Sequence, residues 1–185
     1  MILMGISGSI REKSYNTGLL QSVVRCLPEG VSLTLFDCAG LPLYNGDVDA
    51  DKENKPGEVQ RLLDELALCD GVIFATPEYN YSISGVLKNA IDWASRPAYK
   101  SVLAGKPVAI LSGAKGVVGG ARAQNHLRDI LSSTLSPVVP SPPFLVPEVQ
   151  KKFDERGVLT DEGTKIRLQR YIEDFVAWVN LLDKR

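Results

Sequence analysis

Cysteine and histidine are the scarcest chemistry-bearing residues in this chain: three Cys, at positions 26, 38 and 69, and a single His at 126. No CxxC spacing exists and no Cys/His cluster forms, so neither a zinc site nor a redox dithiol is expected. An odd number of scattered thiols fits a reducing compartment, and a cytoplasmic location is the expectation. No apolar run approaches the roughly 20 residues that cross a bilayer. The N-terminal stretch MILMGISGSI has no basic leader and reads as a first strand. Charge is also short of any excess: 21 Lys and Arg against 22 Asp and Glu leave a net charge of −1. Neither nucleic acid nor a membrane surface is expected as a partner.

What the chain does have is apolar content, 44% of 185 residues, arranged in alternating patterns. Continuous apolar runs at 2–7, 71–76 and 107–113 read as buried strands, and 31–37 alternates as a fourth. Helical spacing runs through 14–30, with Ser14 or Asn16 as its cap and Pro28 with Gly30 as its stop. It recurs at 57–70, at 82–95 with Ile83, Val86, Leu87, Ala90 and Ile91 inward, and at 120–133. The last helix, 161–183, carries Ile166, Leu168, Tyr171, Ile172, Phe175, Val176, Val179 and Leu182. Residues 38–56 read as a polar loop. The segment 137–147 holds five prolines, which restrict it to a short or edge strand at its start. Strands apolar on both faces and alternating with helices predict a five-stranded parallel sheet between two helical layers, as one α/β domain over 1–185.

In such sheets ligands bind beyond the carboxyl ends of the strands, at the switch point. Three loops lie there. The first, SGSIREKSYN (7–16), offers Ser7, Ser9 and Ser14 hydroxyls, the Arg11 guanidinium and the Asn16 amide at a helix start. It reads as an anion site, or as a capped turn with a surface arginine. It is not a nucleoside-triphosphate loop, because GxxxxGK[ST] is missing, and Gly5 and Gly8 do not make GxGxxG. Ala75 and Thr76 end the third strand, so no phospho-acceptor Asp stands there. The second loop begins PEYNY at 77. Its backbone can bond the edge of a heteroaromatic ring flanked by Tyr79 or Tyr81; the same aromatics could serve the core, and Glu78 could be a surface or interface carboxylate. The third, SGAKGVVGGAR, has four glycines within eight positions and either lets backbone approach a ligand or acts as a flexible connector. His126 sits among polar residues and reads as surface or interface. No Ser–His–acid or Cys–His arrangement is visible. An anion loop, a ring loop and a glycine loop at one sheet edge together suit a phosphorylated planar cofactor, and flavin mononucleotide (FMN) meets all three demands.

The stretches GSIREKSYN, PEYNYSISGVLKNAIDWASRP and SGAKGVVGGARAQNHLR closely resemble the NAD(P)H-dependent FMN reductase family, and within it the bacterial chromate and quinone reductases. The resemblance spans 1 to about 160. It implies a flavodoxin-like fold and non-covalent FMN, with NADPH or NADH as electron donor. By the same resemblance the phosphate would meet Ser9, Arg11, Ser14, Asn16 and Thr17. The ring would lie against Pro77, Glu78, Tyr79 and Asn80, with Ser112 and Gly113 at its other edge. No side chain is expected to act as a dedicated acid or base, since the chemistry belongs to the flavin. The resemblance also implies a ping-pong reductase of quinones, flavins, azo compounds or chromate. A flavodoxin-type carrier and a non-catalytic flavin-binding protein are the alternatives. It further implies a homodimer or homotetramer, with Leu, Val and Trp93 on or near the 82–95 helix in the dimer surface; the residues themselves read equally as core. Arg122 matches an Arg–Tyr pair that supports the tetramer in close relatives, but Asn125 stands where Tyr is common.

Overall fold

The computed structural model describes residues 1–51 and 53–183. Five strands, β1 (Ile2–Ser7), β2 (Ser32–Phe36), β3 (Gly71–Thr76), β4 (Val108–Gly113) and β5 (Phe144–Val146), form one parallel sheet in the order β2-β1-β3-β4-β5. β3 and β4 are buried along their whole length, which is why they read as unbroken apolar runs. Side chains alternate across the sheet, as strand geometry requires. Met4, Ile6, Val72, Phe74, Val108 and Ile110 face one helical layer, made by α3 (Gly57–Leu68), α4 (Gly85–Ala94) and α5 (Ala121–Ser133). Leu3, Ile73, Ala75, Ala109 and Leu111 face α1 (Tyr15–Val23) and α6 (Glu162–Asp183). Fully burying one Phe such as Phe175 contributes roughly 1.5–3 kcal/mol, so these two apolar layers dominate the cohesion of the fold. It is the three-layer sandwich expected from the alternation, and the flavodoxin-like fold that the resemblance implies.

Four details differ from the sequence reading. The first helix stops at Val23, continues as a single 3₁₀ turn over Val24–Cys26, and does not reach residue 30. The loop 38–56 contains a short helix, α2 (Gly46–Ala50), started by Asn45, whose side chain accepts from the Asp47 N–H at 2.9 Å. α4 begins at Gly85, with Ser84 as its cap, so Ile83 is buried but lies outside the helix. In α6, Ile166 turns outward and is exposed.

The proline segment shows the largest difference. Its start makes only an isolated bridge between Val138 and Val108; the strand proper forms at its end, Phe144–Val146. Between them Pro140, Pro142 and Pro143 supply no N–H, and the chain leaves the edge of β4. The Ile110 N–H and C=O, which point to that edge, are taken by one side chain. The Tyr171 hydroxyl accepts from the Ile110 N–H and donates to the Ile110 carbonyl, both at 3.1 Å.

Candidate active site at the strand ends

Strand order reverses between β1 and β3, so the crevice opens beyond Ser7 and Thr76. The loop after β1 is wired tightly to its neighbours. The Gly8 N–H donates to the Ala75 carbonyl at 2.7 Å, and the Ser84 hydroxyl donates to the Gly8 carbonyl at 2.6 Å. Ser84 also accepts from the Leu87 N–H, capping α4. A Cβ on Gly8 would sit 3.1 Å from both Pro77 and Ser84, a contact tight enough that the two loops would have to shift by a few tenths of an ångström.

Ser14 caps α1, its oxygen accepting from the Thr17 N–H at 3.3 Å. The hydroxyl proton is left to donate elsewhere. Ser9 is placed similarly, its oxygen accepting from the Arg11 N–H at 3.4 Å. The Arg11 guanidinium is exposed and donates to the Lys13 carbonyl at 3.3 Å; among the described residues it has no carboxylate partner. Two hydroxyl donors, a guanidinium and the N-terminus of α1 therefore converge, a donor set suited to a phosphate dianion.

Asn16 is differently employed. It is buried, donating to the Gly113 carbonyl at 3.1 Å and accepting from the Gly113 N–H at 2.9 Å. Its amide pairs with a backbone as a strand would, and locks α1 to the end of β4. The Thr17 hydroxyl shares a 2.8 Å hydrogen bond with Ser7. Ser112 is fully buried, donating to the Gly119 carbonyl at 2.7 Å and accepting from Gln124 at 2.9 Å. A Cβ on Gly120, whose φ is +91°, would come within 2.7 Å of Ser112, so the glycine loop folds back onto the strand end.

The ring loop is a tight hairpin. Tyr79 and Ser82 exchange backbone hydrogen bonds of 2.9 and 3.0 Å, with Asn80 and Tyr81 at φ of +50° and +65°. Asn tolerates this region; a Tyr there is rare, and such strain costs on the order of 1–3 kcal/mol. Glu78 turns away from the hairpin. Its carboxylate accepts from the N–H groups of Arg122 at 3.1 Å and Ala123 at 3.4 Å, and pairs with the Arg122 guanidinium at 3.1 Å.

Eight of the eleven expected residues, Ser9, Arg11, Ser14, Asn16, Pro77, Glu78, Tyr79 and Gly113, line one cleft of about 250 Å³. Thr17 lies in an adjoining hollow with Ser9 and Arg11. Asn80 faces a more open one with Glu78 and Tyr81. Ser112 lines neither the cleft nor these hollows. The cleft also contains residues the sequence reading did not select: Tyr15, Ala114, Lys115 and Val149. Lys115 was legible as a lone cation among glycines. Val149 was not, because it arrives from the turn after β5. Leu87 is buried, as its place on the inner helix face requires. Trp93, for which the sequence leaves both dimer surface and core open, is a core residue: it is 1% exposed, donates to the Pro42 carbonyl at 2.8 Å and packs edge-on against Tyr44.

A flavodoxin-like parallel sheet with a cleft at its switch point, beside a helix start rich in hydrogen-bond donors, is the architecture of a flavin-binding class of α/β protein. Residues 1–151 match the NADPH-dependent FMN reductase family. The chain is 43% identical over 180 residues to an NAD(P)H-dependent FMN reductase of Pseudomonas aeruginosa, covering 97% of this chain and 96% of that one. It is 42% identical to a quinone reductase of Escherichia coli, covering 93% and 92%. Its fold superposes on a flavoenzyme NAD(P)H:(acceptor) oxidoreductase from Paracoccus denitrificans with a TM-score of 0.86, at 34% identity and 97% coverage of each chain. The chain belongs to the NADPH-dependent FMN reductase family: it is an oxidoreductase that depends on NAD(P)H and FMN.

Proposed function

We propose that residues 1–185 act as one domain holding FMN in the cleft at the strand ends, and that the enzyme passes electrons from NADPH or NADH to small acceptors, quinones foremost. Free flavins, azo compounds and chromate belong to the same acceptor class. The observation that carries this reading is the convergence of Ser9, Arg11, Ser14, Pro77, Tyr79 and Gly113 on one cleft. Arg11, Ser9 and Ser14 would hold the phosphate, and the 77–80 backbone with Tyr79 would hold the ring. Asn16 and Ser112 would serve by fixing the loops around it, through Gly113 and Gly119. When bound, FMN supplies hydride acceptance at its N5 and two-electron delivery. The chain positions the rings and excludes water, which is where a protein gains most from orientation.

The sequence has no GxGxxG motif that would hold a nicotinamide dinucleotide elsewhere, and the expected ring-binding residues gather at one cleft. Donor and acceptor would therefore use the same open face in turn. Exposed Tyr79 in the cleft and Tyr81 in the hollow beside it favour cover by a second copy, as a homodimer or homotetramer. Three buried free thiols suit a cytoplasmic enzyme, and among the described residues no helix is long and apolar enough to cross a membrane. The balanced charge offers no footprint for nucleic acid. The test is steady-state kinetics with NAD(P)H and a benzoquinone, plus anaerobic mixing with NAD(P)H alone. Parallel double-reciprocal plots, and bleaching of the flavin before acceptor is added, are expected. Intersecting plots with bleaching that waits for acceptor would mean that both substrates bind together.

A further inference from the structure

α5 has no side-chain cap of its own: Gly120 stands at its N-cap with φ of +91°, and the unpaired N–H groups of its first turn need an acceptor. Glu78 provides it from another loop, 44 residues away in sequence. One carboxylate oxygen takes the Arg122 and Ala123 N–H groups; the other takes the Arg122 guanidinium. The Glu78 side chain is only 12% exposed, although the Arg122 side chain that it pairs with is 49% exposed. Two further contacts run in parallel. The Arg122 guanidinium lies 4.3 Å from the centroid of the Tyr81 ring, and His126 Nδ1 lies 3.0 Å from the Ser82 hydroxyl. Every residue from 78 to 82 other than Tyr79 and Asn80 is thus tied to α5, and those two are left to face outward. The hairpin needs such ties, since Asn80 and Tyr81 hold left-handed backbone that a loose loop would relax.

From this geometry we infer that Glu78 is a positioning residue for the flavin ring: its carboxylate straps the strained 79–82 hairpin to the start of α5, and so fixes the backbone against which the ring lies. The inference rests on the FMN site proposed above. Glu78 does its work on the protein side of the loop, with both oxygens turned to α5. It also occupies the anion position that the α5 N-terminus and Arg122 would otherwise offer, and thereby keeps that position from competing for phosphate.

The experiment compares the full-length protein with Glu78→Ala, Glu78→Gln and Arg11→Ala. FMN and riboflavin affinities are measured by quenching of flavin fluorescence, alongside the visible spectrum of bound FMN, far-UV circular dichroism and urea unfolding. Glu78→Ala should weaken both flavins at least fivefold and by a similar factor, because the ring loop and not the phosphate loop is disturbed. Its bound-flavin spectrum should shift. Millimolar formate, a carboxylate small enough to fill the vacated position, should restore part of the affinity. Glu78→Gln, which retains an acceptor for the helix N–H groups, should fall between. Arg11→Ala should instead lower the preference for FMN over riboflavin. Unchanged affinity and spectrum in Glu78→Ala would overturn the positioning role. So would a loss that tracks only the unfolded fraction and ignores formate. If Glu78→Ala does not fold, Glu78→Gln with wild-type affinity and spectrum would overturn it equally. Failure of the unmodified protein to bind FMN would remove the cofactor site itself and this role with it, an outcome distinct from the others.

Discussion

The Tyr171 hydroxyl completes the hydrogen bonding of Ile110 on both its N–H and its C=O, standing where a strand residue would pair had three prolines not carried the chain away. Burial pushes this phenol above its ordinary pKa, so it stays protonated and can donate as well as accept. Tyr171→Phe leaves two buried backbone groups without a partner, which costs roughly 1–3 kcal/mol. The measurement is the urea midpoint at unchanged slope. A midpoint equal to that of the unmodified protein would mean that another group reaches Ile110.

The pairing of Asn16 with Gly113 joins the first loop to the third. Asn16→Ala should lower stability by about 1–3 kcal/mol, since the Gly113 groups lose a buried partner. It should also weaken FMN and riboflavin together, because the two loops lose their common anchor. A variant that loses FMN but keeps riboflavin would show instead that Asn16 contacts the phosphate directly.

Asp161 starts α6. Its carboxylate accepts from the Thr164 hydroxyl at 2.6 Å and the Thr164 N–H at 2.9 Å, and it pairs with Lys152 at 3.0 Å. The Thr164 hydroxyl, then Lys152, hold its pKa down to about 2. A depressed carboxylate stabilises the fold above its unfolded pKa of ~4 and loses that contribution as pH falls toward 2. Asp161→Ala should therefore cost about 1 kcal/mol at pH 7, a usual figure for a lost cap, and progressively less as pH falls from ~4 through the folded pKa of about 2. Parallel stability–pH curves for the two proteins would contradict this.

All three cysteines are buried, and burial raises each thiol, Cys38 to about 12 with Asp37 adding and Arg61 opposing. Thiolate is the reactive form. Ellman's reagent at pH 8 should thus react slowly with the native protein and release three equivalents in guanidinium. Rapid native reaction at Cys38 would require the loop over it to open easily.

The sequence made the sheet legible because β3 and β4 are buried on both faces and stay apolar until Thr76 and Ser112 at their carboxyl ends. It made the three loops legible because each follows such a strand. The position of β5 was hidden, since prolines forbid ladder bonds but do not say where the chain returns, and the group that fills the gap, Tyr171, lies about 30 residues further on. Asn16, Ser112 and Glu78 were picked out for their chemistry, yet their partners are Gly113, Gly119 and α5. Buried polar side chains seek whatever backbone groups the tertiary fold leaves unpaired, and local pattern carries no trace of that. Trp93 was open between core and dimer surface for a related reason: an apolar helix face does not say whether it meets its own fold or a second copy, and the fold buries it.

Whether the loop from Ser9 to Thr17 holds a flavin phosphate is decided by titrating the apoprotein with FMN and with riboflavin, before and after Arg11→Ala. The unmodified protein should bind FMN far better than riboflavin. Arg11→Ala should weaken FMN by about 1.5–3 kcal/mol, roughly 10- to 150-fold, as expected for a hydrogen bond to a charged group, while riboflavin affinity hardly moves. Equal affinity for FMN and riboflavin in the unmodified protein would contradict phosphate binding by this loop.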